Sequence, residues 1–497
     1  MLKHILILTT AICVMALLSI SQPAYAQISE FKLTASDNAA GDEFGRSASI
    51  SGDYAVVGAF KDDDNGDFSG SAYVFKRTGT SWAQEAKLLP ADGATGDFFG
   101  ESVSISGDYA VVGARNDDDN GINSGSAYVF KRIGTSWAQE AKLLPADGAE
   151  RDNFGQSVSI SGDYAVVGAF KDDDNGSSSG SAYVFKRIGT SWAQEAKLLP
   201  ADGATGDFFG ESVSISGDYA VVGAKGDDGT GSAYVFKRTG TSWVQEAKLL
   251  PADGATGDFF GESVSISGDY AVVGAKGDDG TGSAYVFKRS GTSWAQEAKL
   301  LASDGAAGDL FGLPVSISGD YAVVGAHDDG DHSGSAYLFK RTGTSWTEEA
   351  KLLASDGVAG DHFGVVSISG GYVVVGAYFD DDNGTDAGSA YLYTGFATPV
   401  GVESEIAGLP AEFALSQNYP NPFNPETVIE FALPRSGDVS LVVYNLRGEE
   451  VALLLSGTMP AGNHRVSWDA SNVSSGIYFY RLQAGDFVQT KKMMLLK

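Results

Sequence analysis

Short apolar runs alternate with turn residues along most of this chain, and the pattern repeats. In one copy the four runs are Ser102–Ser106, Tyr109–Ala114, Gly125–Lys131 and Trp137–Leu144. Runs of this length that are rich in Val, Ile, Tyr and Phe are typical of β-strands, and the Ser-Gly-Asp between the first two favours a tight hairpin. Each copy is therefore predicted to form four short antiparallel strands.

Seven copies of this unit follow one another. Each opens with a Phe-Gly pair, and these pairs begin at Phe44, Phe99, Phe154, Phe209, Phe260, Phe311 and Phe363. A series of four-stranded units is typical of a β-propeller, which usually has about 4–8 blades. The predicted fold class is all-β, with a seven-bladed β-propeller over residues 27–395.

The last unit lacks a fourth strand, because the repeat ends with Gly388–Gly395. Residues 28–45 match the segment that elsewhere carries a fourth strand into the next unit. We predict that Ile28–Thr34 pairs with Ser389–Tyr393, so that an N-terminal strand closes the ring. Closure would remove the exposed sheet edges that invite aggregation.

The first 26 residues have the three parts of a cleaved signal peptide: Lys3, an apolar run from Ile5 to Ile20, and Ala24-Tyr25-Ala26. The apolar run is shorter than the roughly 20 residues of a membrane-spanning helix, so cleavage near Ala26 is favoured over a membrane anchor. Cys13 is the only cysteine and lies in this segment, which excludes thiol chemistry from the mature chain. We expect an exported chain without a transmembrane segment.

The repeat stops at Gly395. Residues 396–412 contain Pro, Gly and scattered acids and are predicted to be a linker. Residues 413–497 contain six further short runs, which predict a small immunoglobulin-like β-sandwich. These runs are Val428–Leu433, Val439–Asn445, Val451–Leu455, His464–Trp468, Ile477–Leu482 and Phe487–Leu495.

The Phe-Gly and Val-Gly-Ala segments, in seven copies, resemble the FG-GAP repeat of the integrin α-subunit propeller. The resemblance covers residues 28–395. It implies a propeller fold and one of the roles that such propellers serve, as adhesion heads, lectin-like modules or accessory domains of enzymes. Fold alone does not choose among these roles.

The C-terminal region resembles the type A sorting domain of the type IX secretion system. The motifs are Asn-Tyr-Pro-Asn-Pro-Phe-Asn-Pro at 418–425, Gly-Ile-Tyr-Phe-Tyr at 476–480 and a basic tail, in that order. The resemblance implies that the secretion machinery handles residues 413–497, and that the chain is then released or attached at the outer cell surface. An ordinary sandwich domain with a Pro-rich beginning is the alternative.

The formal net charge of -30 is concentrated in the propeller region. Residues 27–395 carry 26 basic and 54 acidic side chains, a net charge of -28. This acidity argues against nucleic acid and anionic membranes as partners. Two interpretations of the charge remain open, the solubility of an exported protein and a ligand-binding face.

Much of the acidity lies in the loop after the second strand, whose length varies between 6 and 10 residues among the units. Strand parity places these loops on one face of the propeller and the Lys-Arg pairs on the other. Clustered carboxylates repel one another, so we expect weak, delocalised Ca²⁺ binding, of order 10⁻⁴–10⁻³ M. The candidate ligands are Asp62, Asp64, Asp117, Asp119, Asp172, Asp174, Asp380 and Asp382.

No cofactor is expected to be required. The calcium loop of integrin-type repeats lies between the first two strands, where this chain has only Ser-Gly-Asp, so those ligands have no counterpart. The sequence also lacks a G-x-S-x-G elbow between a strand and a helix, an H-E-x-x-H motif and a P-loop, so the chain is predicted not to be an enzyme.

One loop departs from the repeat. His327 and His332 could supply metal ligands together with the aspartates between them, but they occur in one unit of seven, so we interpret this loop as solvated surface. The leading hypothesis is a binding, adhesion or scaffold module with a glycan or protein ligand. The alternative is an extracellular carbohydrate-active enzyme or enzyme accessory domain, for which the sixth unit, with Leu313-Pro314, is the only candidate site.

Overall fold

A computed structural model describes residues 28–396, 413–418, 421–433, 437–459, 462–470, 473–484 and 487–496. The predicted signal peptide and the predicted linker beyond Phe396 lie outside the described residues. None of the helices in the described ranges has the length and apolar character needed to span a membrane.

Seven four-stranded antiparallel sheets account for residues 29–394. Their strands, in chain order, are β1 (Ser29–Leu33), β2 (Ser47–Ser51), β3 (Tyr54–Ala59), β4 (Ser71–Thr78), β5 (Ser81–Leu88), β6 (Phe99–Ser106), β7 (Tyr109–Ala114), β8 (Ser126–Ile133), β9 (Ser136–Leu143), β10 (Phe154–Ser161), β11 (Tyr164–Ala169), β12 (Ser181–Ile188), β13 (Ser191–Leu198), β14 (Val213–Ser216), β15 (Tyr219–Ala224), β16 (Ser232–Thr239), β17 (Ser242–Leu249), β18 (Val264–Ser267), β19 (Tyr270–Ala275), β20 (Ser283–Ser290), β21 (Ser293–Leu300), β22 (Val315–Ser318), β23 (Tyr321–Ala326), β24 (Ser335–Thr342), β25 (Ser345–Leu352), β26 (Phe363–Ser369), β27 (Tyr372–Ala377) and β28 (Ser389–Thr394). Blade 1 contains β2 to β5, and each of blades 2 to 6 contains the next four strands. Blade 7 contains β26 to β28 together with β1.

The second and third strands of each blade are buried on both faces, because each sheet packs between two others. In blade 2 all of β7 and the first five residues of β8 are buried. The outer strand β9 mixes exposed and half-buried residues. This arrangement explains why the apolar runs are nearly continuous in the inner strands, as fully buried strands require.

A hydrophobic cluster lies between each pair of neighbouring blades. Phe99, from a Phe-Gly pair, is fully buried and meets Tyr128 edge-on at 5.5 Å between ring centroids. The glycine of Val-Gly-Ala allows the next blade to approach closely: a Cβ on Gly113 would lie 2.0 Å from the carbonyl oxygen of Gly155. The repeated motifs are therefore the residues through which blades pack together.

The ring closes as the sequence predicts. β1 pairs with β28 in antiparallel register, with Ser29 opposite Thr394 and Leu33 opposite Ala390. The first strands of neighbouring blades contact one another all the way round, and the last of these contacts joins β2 to β26. The seven sheets therefore form a closed seven-bladed β-propeller.

An aromatic contact joins each outer strand to the preceding blade. Six tryptophans meet a tyrosine of that blade edge-on, with ring centroids 6.0–6.3 Å apart. Blade 7 has no tryptophan, and Phe396 takes its place by packing against Tyr321 at 5.8 Å. Phe396, which the sequence analysis assigns to the linker, therefore packs on the propeller.

The loops after β15, β19 and β23 contain the helical turns of the described residues. These are two 3₁₀ turns, Asp227–Gly229 and Asp278–Gly280, and one α-helical turn, Asp329–His332. They occur in the three loops that are shorter than 10 residues.

The C-terminal region is a two-sheet β-sandwich. Its strands are β29 (Ala414–Leu415), β30 (Glu426–Leu433), β31 (Gly437–Tyr444), β32 (Glu450–Met459), β33 (Gly462–Asp469), β34 (Gly476–Ala484) and β35 (Phe487–Leu495). One sheet has the order β29-β30-β33 and the other β32-β31-β34-β35. Both contribute to one core, which includes Phe431 from the first sheet and Leu441 and Tyr480 from the second. The six predicted strands are confirmed, and β29 is a seventh, too short to produce an alternating pattern.

Candidate functional site

A lysine lies at the centre of each acidic cluster of the propeller. In blade 1 the Lys87 ammonium is 2.9 Å from Asp62, 2.5 Å from Asp64 and 2.8 Å from Asp37. Tyr73 donates a hydrogen bond of 2.6 Å to Asp62. Burial acts to lower the pKa of Lys87, but the hydrogen bonds to these carboxylates outweigh burial and raise it above its ordinary value. The lysine therefore stays charged and offsets the repulsion between the carboxylates.

The same cluster recurs in every blade. Its lysines are Lys32, Lys87, Lys142, Lys197, Lys248, Lys299 and Lys351. All eight candidate calcium ligands contact one of them: Asp62 and Asp64 contact Lys87, Asp117 and Asp119 contact Lys142, Asp172 and Asp174 contact Lys197, and Asp380 and Asp382 contact Lys32. The protein thus supplies a cation where the sequence analysis expects a metal ion, and weak Ca²⁺ binding stays a prediction.

The calcium loop of integrin-type repeats does not fit this chain. Only Gly52 and Asp53 lie between β2 and β3, and Asp53 accepts a hydrogen bond from Arg77. An equivalent Arg–Asp pair occurs in each of blades 1 to 6. The face with the Lys-Arg pairs therefore carries carboxylates of its own, which offset part of its positive charge.

A second aspartate on the acidic face is held by the backbone instead of by an ion pair. Asp97 is buried and accepts a hydrogen bond of 2.7 Å from the N–H of Ala94. Burial raises the pKa of Asp97 to about 6, against the effect of that hydrogen bond. Asp42 and Asp152 occupy the same place and also have a pKa of about 6. These three carboxyls titrate well above the usual range for aspartate.

The blades meet around a pocket of about 490 Å³ at the propeller axis, on the face that carries the acidic loops. Lys276, His327 and Tyr378 line it from just beyond the second strands of blades 5, 6 and 7. Every blade also contributes the residue that follows its Phe-Gly pair. These residues are Arg46, Glu101, Gln156, Glu211, Glu262, Leu313 and Val365. At this position three blades have glutamate and the other four have Arg, Gln, Leu or Val, so the pocket lining varies although the surrounding scaffold repeats.

Opposite charges alternate along part of the pocket wall. Lys225 lies 2.6 Å from Glu211 and 3.1 Å from Glu262, and Arg115 lies 3.5 Å from Glu101. Burial raises the pKa of Glu211, although Lys225 opposes this shift. One carboxylate oxygen of each of these glutamates is buried without a hydrogen-bond partner in the protein. Such oxygens need a donor from water or from a ligand.

Three histidines converge on one carboxylate oxygen at the edge of this pocket. Asp328 Oδ1 lies 3.0 Å from His362 Nδ1, 3.4 Å from His332 Nδ1 and 3.7 Å from His327 Nε2. Burial lowers the pKa of both His327 and His362, although Asp328 opposes the shift. Both rings therefore favour the neutral form at neutral pH.

The interpretation of this loop as solvated surface holds for His332 but not for His327. The side chain of His332 is 61% exposed, whereas that of His327 is 17% exposed and lines the pocket. His362 also belongs to this group, although it was not predicted from the sequence. Alignment of the repeats against one another would have found it, because His362 occupies the place of Phe98, directly before a Phe-Gly pair.

Two family models match the chain. The FG-GAP repeat model matches more than half of it, at residues 29–75, 82–130, 137–185, 192–236, 243–287, 294–339 and 346–393. The model of the secretion system C-terminal sorting domain matches residues 417–496.

A comparison with solved structures also gave matches. One is a Bacteroides fragilis protein provisionally assigned as a 6-phosphogluconolactonase, with 11% sequence identity, a TM-score of 0.45, and coverage of 65% of this chain and 87% of that one. A comparison with curated proteins found no match.

Proposed function

The chain belongs to the FG-GAP repeat family and ends in a secretion system sorting domain, and from this premise we propose that it binds a glycan in the axial pocket of a secreted or cell-surface propeller. The lysine clusters and packing motifs repeat around the ring and serve the scaffold. The pocket is the place where the blades differ, with Arg46, Gln156 and Leu313 standing where three other blades have glutamate. A concave site with a few distinct polar groups is typical of ligand binding.

The observation that carries this proposal is the set of partnerless oxygens on Glu101, Glu211 and Glu262. Lys276 lies 2.8 Å from Glu262, so ammonium and carboxylate groups stand side by side. A sugar hydroxyl can donate to a carboxylate and accept from a neighbouring ammonium. A neutral ligand rich in hydroxyls suits this pocket better than an anion, which the acidic loops around the pocket would repel.

A glycan array probed with the full chain tests the proposal. In the Glu211→Gln/Glu262→Gln variant we expect binding to weaken about 10-fold or more, because a hydrogen bond to a charged group contributes roughly 1.5–3 kcal/mol. Glu150→Gln is the matched control, because Glu150 is an exposed glutamate on the same face. Equal binding by both variants would place the glycan elsewhere. A silent array would favour a protein partner or a scaffold role.

Export is tested separately. Removing residues 413–497 should leave a folded propeller in the periplasm, because the sorting domain is a separate sandwich with its own core. Cell fractionation measures this. If the truncated and full chains reached the medium equally, the proposed role of the sorting domain would be wrong.

An extracellular carbohydrate-active enzyme or accessory domain is the second candidate. One observation favours it: His327 lines the pocket within a His–Asp–His group that no other junction between the described blades has. Incubating a bound glycan with the protein and following new reducing ends separates the two functions. Turnover that is lost in His327→Phe would support an enzyme, and binding without turnover supports a binding module.

A further inference from the structure

The junction between blades 6 and 7 gathers three histidines around one aspartate. We define the histidine junction as His327, Asp328, His332 and His362. The rings of His332 and His362 stack at 5.4 Å, and the ring of His327 lies 5.9 Å from that of His362. The donor atoms of His327, Asp328 and His362 all lie within 4.8 Å of one another.

The donor spacing matches that of a small four-coordinate metal ion. Zn²⁺ binds imidazole nitrogen at about 2.0–2.1 Å and carboxylate oxygen at about 2.0–2.2 Å, so the donors of a tetrahedral site are about 3.3 Å apart. The three separations between Asp328 Oδ1 and the histidine nitrogens are 3.0, 3.4 and 3.7 Å. The donors of His327, Asp328 and His362 already form one group, whereas the His332 nitrogen is near Asp328 but outside that group, so the His332 side chain must move to complete the site.

We propose that the histidine junction is a metal site for one transition-metal ion of the Zn²⁺ type. His327, Asp328 and His362 are the core ligands, and His332 is the fourth. Imidazole nitrogen suits Zn²⁺, Ni²⁺ and Cu²⁺, whereas Ca²⁺ and Mg²⁺ prefer oxygen ligands. The site is separate from the glutamates of the proposed glycan pocket, so it does not depend on the proposed function.

Two donor atoms of the junction have no well-aligned hydrogen bond. Asp328 Oδ1 and His362 Nδ1 are buried and 3.0 Å apart, but neither has a hydrogen-bond partner. Buried polar atoms are rarely left in this state, and a bound ion would satisfy both. His332 is exposed and gives an ion access from solvent.

The surroundings of the junction are mostly aromatic. Tyr378 and Phe379 pack against His362 at 5.6 and 5.2 Å and cover it on the side of blade 7. The nearby cation is Arg46, whose guanidinium lies over the ring of Tyr378 at 5.2 Å. Arg46 opposes the binding of a cation, and the Asp328 carboxylate offsets that opposition.

The propeller fold does not require histidine at these positions. We define the phenylalanine junction as Phe60, Phe68 and Phe98, which occupy the equivalent places between blades 1 and 2. Phe98 lies 5.4 Å from Phe60 and 6.1 Å from Phe68, and His362 lies 5.9 Å from His327 and 5.4 Å from His332. Three phenylalanines fill this space in one junction, so the three histidines of the other are not explained by packing alone.

Titrating the full mature chain with ZnCl₂ and CoCl₂ tests the proposal. We expect one Zn²⁺ per chain, and intense visible absorption of Co²⁺ in a four-coordinate site. The variant His327→Phe/His362→Phe should lose both signals and still fold, because phenylalanine fills these places in the phenylalanine junction. Asp328→Asn should weaken Zn²⁺ binding by more than the roughly 10–100-fold that the loss of a supporting partner costs.

The control is His464→Gln, which removes the histidine of the C-terminal sandwich and should leave Zn²⁺ binding unchanged. Circular dichroism and melting show that each variant is folded. Three outcomes would overturn the proposal: Zn²⁺ binding of wild-type strength in His327→Phe/His362→Phe, equal loss in the control, or weak Co²⁺ absorption that indicates only hydrated ions on the acidic surface.

Discussion

The phenylalanine junction and the histidine junction share local backbone features, although the blade 6 loop is three residues shorter and contains a helical turn, and their side-chain chemistry differs. In one, the N–H of Phe98 donates to the carbonyl of Phe68 at 3.1 Å; in the other, the N–H of His362 donates to that of His332 at 2.9 Å. Phe98 and His362 both have a left-handed backbone, with φ of 58° and 52°. At these matched positions the histidine side chains provide nitrogen donors where the other junction has only aromatic rings.

The difference shows which parts of a blade are free to change. The lysine clusters, the Phe-Gly pairs and the close glycine contacts recur at both junctions and hold the blades together. The residue after Val-Gly-Ala and the residue before Phe-Gly lie outside those contacts. Side chains of different chemistry occupy these two positions from blade to blade, and such positions are where a propeller can acquire a binding site.

The largest expected effect comes from opening the ring of blades that contains both junctions. Deleting residues 27–37 removes β1, the buried Leu33 and the Lys32 ammonium, which lies 2.9 Å from Asp380. We expect a loss of several kcal/mol in the free energy of unfolding, or aggregation through the exposed edge of β28.

Thermal melting and light scattering measure this effect. The control deletes eleven residues from the predicted linker, within 397–412. An unchanged melting temperature after removal of residues 27–37 would contradict ring closure by the N-terminal strand.

The second test transfers the residues of the histidine junction to the phenylalanine junction. The variant Phe60→His/Lys61→Asp/Phe68→His/Phe98→His copies the histidine junction between blades 1 and 2. Phe60 is 6% exposed, so we expect the metal-free variant to lose about 2–4 kcal/mol in the free energy of unfolding. We also expect a second Co²⁺ site. Full stability without new Co²⁺ absorption would show that the two junctions do not hold these side chains in equivalent positions.

A smaller effect comes from pH, because acidification changes the contributions of the two regions to stability in opposite directions. The folded-state pKa of Asp97 is raised to about 6, so its contribution to stability grows as the pH falls below about 6. The pKa values of His327 and His362 are lowered, so their contribution is present above the unfolded value of about 6.5 and is lost as the pH falls through it.

Melting at pH 7.5 and 5.5 compares the wild type with His327→Phe/His362→Phe. Acidification should favour the variant, by less than about 1 kcal/mol because the groups are partly exposed. Adding Asp97→Asn to that variant should reduce its gain on acidification. Identical pH profiles in all three proteins would mean that these groups do not titrate as described.

Calcium is expected to have the smallest effect. The ammonium of Lys87 already lies within 2.9 Å of Asp62 and Asp64, so Ca²⁺ should bind the acidic face only at about 10⁻⁴–10⁻³ M. Isothermal titration of His327→Phe/His362→Phe isolates this face from the histidine junction. Melting in EDTA should be unchanged, and tight stoichiometric binding or collapse in the chelator would contradict the prediction.

The sequence by itself determined the fold, because the fold depends on patterns that repeat along the chain. Burial on both faces produces the near-continuous apolar runs, and turn residues separate them, so the seven four-stranded units could be predicted. The match of residues 28–45 to an internal segment was enough to predict the pairing of β1 with β28. The short strand β29 and the contact of Phe396 with Tyr321 were not predicted, because neither belongs to a repeated pattern.

The sites were decided only by the tertiary structure, because their members are far apart in the chain. Lys142 contacts Asp92, 50 positions away in the chain, and Asp117, 25 positions away. The charge of the acidic loops could therefore be counted in the sequence, but the pairing of these aspartates with a lysine could not be predicted from it. His362 follows His327 by most of a repeat and belongs to the next blade. Periodicity fixes which residues lie on a strand, whereas ring closure and blade packing fix which side chains come within a few ångströms, and the chemistry of a site depends on that distance.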